Sequence, residues 1–87
     1  MKKSEIIVEE MGFENAVFFD DPDYDDAIIG VTEEGSTVYD YEKMVTCLMK
    51  ADRINEAEAQ EFIDYNTVRA LPYAPDPKPI IMHPLWE

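Results

Sequence analysis

The sequence predicts an α+β fold: a small antiparallel β-meander of two or three strands followed by two packed α-helices. Three observations carry this. Residues 16–39 are rich in β-branched and aromatic side chains, broken by turn residues. After Asp40 the apolar residues recur with a period near 3.6 rather than two. Asn55-Glu56-Ala57-Glu58 then forms a capping box, the N-terminal signature of a second helix.

Taken in order, residues 1–14 form an arm in which Glu5, Glu9, Glu10 and Glu14 surround Ile6, Ile7, Val8, Met11 and Phe13. The pattern there suits a short helix, a frayed strand or a mobile arm. Ala16-Val17-Phe18-Phe19 reads as a strand. Asp20-Asp21-Pro22-Asp23-Tyr24-Asp25-Asp26 is a loop, because Pro22 and five Asp cannot enter a sheet ladder. Residues 27–32 read as the next strand, and Thr37-Val38-Tyr39 returns after the turn Glu33-Glu34-Gly35-Ser36, with Gly35 supplying a positive φ.

Asp40 is an N-cap with Glu42 on the favourable side of the helix dipole. Tyr41, Met44, Val45, Leu48 and Met49 follow on one helical face. In the second helix Ala59, Phe62, Ile63, Asn66 and Ala70 share a face, and Pro72 ends the helix near Leu71. The core domain is thus expected over 15–72. The tail, 73–87, is Pro-rich, with Ile80-Ile81-Met82 available as an added edge strand.

Three stretches resemble a family of short acidic bacterial proteins with no assigned function. They are Ile28-Ile29-Gly30 leading to Val38-Tyr39-Asp40-Tyr41-Glu42, the Met44-Val45…Leu48-Met49 helix, and residues 61–73, Glu61 to Tyr73. The resemblance covers roughly 15–82 and implies domain boundaries only, with no activity or ligand.

Charge is the main functional signal. Seven basic residues oppose twenty acidic ones, for a net charge of −13. Small soluble domains need a net charge of only about 2–8. From Ser4 to Glu42 there are thirteen acidic residues and no Lys or Arg. Bare nucleic acid and anionic membranes are therefore poor partners, since phosphates demand cations. A basic protein surface, a polyamine or a metal ion is attracted instead.

Enzyme classes find little material. The paired carboxylates Asp20/Asp21 and Asp25/Asp26 sit on an exposed loop, whereas acid–base carboxylates need burial to move their pKa. Asp21, Asp23 and Asp25 alternate as in a calcium loop, but the sixth and twelfth positions hold Asp26 and Thr32 instead of Gly and Glu. One Cys and one His build no structural zinc site. Cys47 forms no intramolecular disulfide and reads as a buried, inert thiol. No signal peptide or spanning segment is visible, so a cytoplasmic address is expected.

The expectation is a non-enzymatic acidic protein, without a cofactor, that occupies a basic surface of a protein partner. A nucleic-acid-binding protein is the natural candidate, as for a phage or mobile-element inhibitor of the anti-CRISPR-like, nucleic-acid-mimicking kind. The expected binding residues are Asp20, Asp21, Asp23, Asp25, Asp26, Glu33, Glu34, Glu58, Glu61 and Asp64, with Tyr24 as an exposed aromatic anchor. Tyr39, Tyr41, Tyr65, Tyr73 and Trp86 serve either as interface aromatics or as caps on a small core. Alternatives are an antitoxin or regulatory subunit of a basic partner, and a weak divalent-metal binder.

Overall fold

The structure is a computed structural model that describes residues 1–20 and 22–85. The first element, α1 (Lys3–Glu5), runs directly into a π-helical turn at Ile6–Glu10. A 3₁₀ turn at Asp25–Ala27 leads into β1 (Ile28–Val31), which is followed by β2 (Thr37–Asp40). Next come α2 (Tyr41–Asp52) and α3 (Glu56–Phe62), the latter continued by a π-helical segment at Ile63–Val68. A 3₁₀ turn at Leu71–Tyr73 and β3 (Ile80–Met82) complete the chain. The α+β class is as the sequence predicts.

The sheet order is β1-β2-β3. β1 and β2 pair antiparallel through the 33–36 turn, where Gly35 adopts φ 95° and its N–H donates to the Thr32 carbonyl. An Ala there would meet only ordinary contacts but would hold a strained backbone. The register slips between Ile28 and Gly30, leaving Ile29 as the extra residue of a bulge. The tail supplies β3, which pairs parallel with β2, Val38 opposite Ile80 and Asp40 opposite Met82. A parallel pair needs a long crossover, and here the two helices are that crossover.

Ala16–Phe19, expected as a strand, is not one; this stretch makes no ladder. It is held by its aromatic rings instead. The Phe19 ring lies 4.6 Å from that of Tyr39, and the Phe19 N–H donates to the Tyr39 hydroxyl. The 1–14 arm contains helical turns, and its Ile7 is only 3% exposed within the core.

Helix α2 follows its sequence signals. Asp40 Oδ1 accepts from the N–H groups of Glu42 and Lys43, and Tyr41, Met44, Val45 and Leu48 are buried. It ends at Arg53, which adopts the left-handed conformation (φ 55°) that glycine usually takes at this position. α3 begins with both halves of the Asn55/Glu58 capping box made. Its buried face is Ala59, Ile63 and Thr67. Asn66, expected on that face, is exposed, and its side-chain amide donates back to the Phe62 carbonyl. The physical reason is the π-helical segment: an i→i+5 ring takes in more residues per turn, so Thr67 at i+4 from Ile63 turns inward in its place.

The largest correction concerns Tyr24. Expected as an exposed anchor, it is 2% exposed. Its backbone takes a left-handed conformation (φ 49°), unusual for a bulky residue. That turn drives the ring inward against Phe19, edge to face at 5.9 Å. Its hydroxyl pairs with the Thr67 hydroxyl at 3.1 Å.

Two outcomes follow for stability. Tyr24→Phe strands the buried Thr67 hydroxyl and costs about 1–2 kcal/mol, whereas Tyr24→Ala costs about 3–5 kcal/mol, both measured by denaturant unfolding. Arg53→Gly relieves a left-handed non-glycine residue and raises stability by up to ~1 kcal/mol in the same assay.

Candidate functional site

The acidic loop is tied down by the only cations that precede it. Asp23 Oδ1 accepts from the Asp25 N–H, an Asx turn that sets the loop's curvature. Asp23 Oδ2 pairs with the Lys2 ammonium at 3.0 Å. The backbone hydrogen bond first, and then Lys2, hold the Asp23 carboxyl below its usual range; Lys2 is raised in turn by Asp23. Asp25 caps α1 from a distance, its two oxygens accepting from the N–H groups of Lys3 and Ser4 at 3.0 Å each. The Lys3 ammonium donates to the carbonyls of Asp26 and Ile28. Lys43 and Lys50 of α2 face the same loop across a cavity of about 670 Å³ that Asp23, Asp25, Asp26 and Cys47 also line. The Cys47 thiol is pushed up, chiefly by burial, which leaves it a weak nucleophile.

The loop is therefore a latch for the N-terminal arm as well as an acidic feature. Asp20, Asp23 and Asp26 are exposed and Asp25 is half-buried, while Asp21 lies outside the described residues. Glu33 and Glu34 are exposed at the other end of β1, away from the loop. A cleft of about 280 Å³, lined by Asp20 and Pro22 on one side and Asn66 and Ala70 on the other, joins the loop to the helical segment after α3. The loop thus meets the segment after α3, while Glu58, Glu61 and Asp64 do not line that cleft and the 33–36 turn lies apart.

Glu58 and Glu61 on α3, and Asp64 in the π-helical segment that continues it, are exposed. Glu58 closes the capping box on the Asn55 N–H, and Asp64 accepts from the Tyr41 hydroxyl at 3.1 Å. Glu58, Glu61 and Tyr65 follow one another at i, i+3 and i+7, on the side opposite Ala59 and Ile63. Tyr65 is 63% exposed, with the Arg69 guanidinium 5.5 Å from its ring centre. Val68 and Tyr73 are exposed beyond it, Tyr73 at 88%. Exposed aromatic rings, absent at Tyr24, are thus found here. Tyr39 and Tyr41 are core residues; burial pushes the Tyr39 phenol up to about 12 and also raises Tyr41. Trp86 lies outside the described residues.

The arm latch was missed from sequence, although one signal was present. Lys2 and Lys3 are the only Lys or Arg that precede the block of thirteen acidic residues, so an electrostatic return of the N-terminus onto the loop is a ready compensation. Among the described residues no three His, Cys, Asp or Glu side chains converge so as to hold a metal ion. No helix among them is long and apolar enough to cross a membrane. The chain matches no family model, no curated protein and no solved structure.

The latch carries a pH dependence whose sign is set by both partners. Asp23, lowered from 3.8, contributes stability above that value and loses it as pH falls further. Lys2, raised from 10.5, contributes below that value and loses it as pH rises past its folded pKa. Amide exchange at Lys2–Ser4 is therefore expected to be slowest between about pH 4 and 10.5, after correction for intrinsic rates. Asp23→Asn removes the acid-side loss.

Proposed function

We propose that this chain is a non-enzymatic acidic binding protein that occupies a basic surface of a protein partner, and that the exposed side of α3 is the contacting face. The supporting observation is the pairing of uncompensated carboxylates with an exposed aromatic ring. Only Asp23 and Asp76 form side-chain ion pairs among the described residues. Glu58 and Glu61 stand beside Tyr65 on a rigid helix, with Tyr73 beyond. Rim charges of this kind steer encounter with a cationic surface, and a Tyr at the centre supplies area at low entropic cost. A surface built to hold phosphates meets carboxylates spaced along a helix in much the same way, so a nucleic-acid-binding protein is the preferred class of partner.

The test is a pull-down from the source cells with the tagged chain, repeated with Glu61→Lys/Tyr65→Ala and with Glu33→Gln/Glu34→Gln. Capture of a basic protein should fall at least tenfold in the first variant and about twofold or less in the second. It should weaken with salt and be competed by duplex or single-stranded nucleic acid. Equal capture by all three proteins, or indifference to nucleic acid, would overturn the reading.

A further inference from the structure

The first turn of the N-terminal arm, residues 2–5, is held to the rest of the molecule by polar contacts. None of these residues is buried. The Lys2 ammonium sits on Asp23 at 3.0 Å. Beside it the N–H groups of Lys3 and Ser4 each take one oxygen of Asp25. The Lys3 ammonium reaches on to the carbonyls of Asp26 and Ile28, at 3.1 and 3.0 Å. The apolar hold on the arm begins further along, at the buried Ile7, whose carbonyl accepts from the Phe13 N–H. Residues 2–5 can therefore lift from the loop, pivoting before Ile7, without opening the core. Segments fastened this way lie at the low-stability end of a fold, and an exposed ion pair adds little to the hold.

The fastenings also say what the loop accepts. The arm presents two ammonium groups together with the backbone N–H groups of two consecutive residues. A lysine- or arginine-rich segment of another protein carries the same set. Asp20 and Asp26, also on the loop, are exposed and form no ion pair among the described residues. The arm therefore leaves part of the loop's charge uncompensated.

We propose that the arm is an autoinhibitory strap: Lys2, Lys3 and Ser4 hold the place on Asp23 and Asp25 that a lysine- or arginine-rich segment of the partner takes when the arm lifts. This rests on the reading that the partner is basic, and it adds a second contact to the α3 face. Arm and partner compete for the same two carboxylates. The partner's affinity for the loop is thus scaled down to the fraction of molecules whose arm is lifted. Ile7 stays in the core throughout and returns the arm to the loop when the partner leaves.

The experiment is an NMR titration of the full chain with a hexalysine peptide at ~150 mM NaCl, where diffuse attraction to a charge of −13 is screened beyond about 8 Å. Saturable shifts are expected at the amides of Asp23, Asp25 and Asp26. At saturation, hydrogen exchange of the Lys3 and Ser4 amides should speed up at least ~5-fold while that of Leu48 stays unchanged. Lys2→Ala, which removes one fastening, should tighten peptide binding about two- to fivefold, the worth of an exposed pair. Lys78→Ala opens the exposed pair with Asp76 and changes net charge equally, so it should alter binding by less than about 1.5-fold. The exchange measurement on the unaltered chain depends on no variant. Loop shifts without faster exchange at Lys3 and Ser4, the absence of saturable loop shifts, or equal gains in the two lysine variants would overturn the proposal. The pull-down with Glu61→Lys/Tyr65→Ala measures the α3 face separately, so either result can fail without the other.

Discussion

Tyr24 is the residue around which the rest of the molecule is arranged. A left-handed backbone at a bulky side chain is unfavourable and persists only when its surroundings over-determine it. Here they do. The ring is buried against Phe19, and the hydroxyl is paired with Thr67. One side chain thereby joins the acidic loop, the extended segment before it and the helix after α3. The loop would otherwise be a run of solvated carboxylates with no reason to hold a shape. Because Tyr24 is anchored, Asp23 and Asp25 stand where the arm can reach them, and Ala27 and Ile28 enter the sheet from a fixed direction.

Electrostatics then sorts the acidic residues into two kinds. Two of those in the loop serve inward: Asp23 holds Lys2, and Asp25 caps α1. Those of α3 face outward beside Tyr65. A net charge is thus a poor guide to which carboxylates are left uncompensated. Within the densest acidic run of the sequence, Asp23 and Asp25 are engaged by the N-terminal arm. The sparser carboxylates of α2 and α3 form no ion pair among the described residues. Exposed ion pairs such as Lys2–Asp23 are individually weak, so the arm depends as much on burial of Ile7 as on charge.

Much of the architecture was legible in the chain. The Asp40 and Asn55 caps, the 33–36 turn with Gly35, and the buried stripe of α2 all appear where their side chains predict them, because each depends on neighbours three or four residues away. The failures share the opposite property. Phe18 and Phe19 have the composition of a strand, but whether a strand forms depends on a free partner edge. Asn66 was placed by a period of 3.6 that the π-helical segment does not keep. Tyr24 sits among five Asp residues, and no local pattern says that its ring turns inward.

The amino-acid order by itself determined the acidic character, the α+β class and the boundaries of both long helices, since these follow from composition and short-range periodicity. Only the tertiary structure decided that the tail completes the sheet in parallel, that the N-terminus closes on the acidic loop, and which aromatics face solvent. Those outcomes depend on contacts between residues twenty or more positions apart. Their free energy is gained only when the two segments meet, and no stretch of sequence contains it alone.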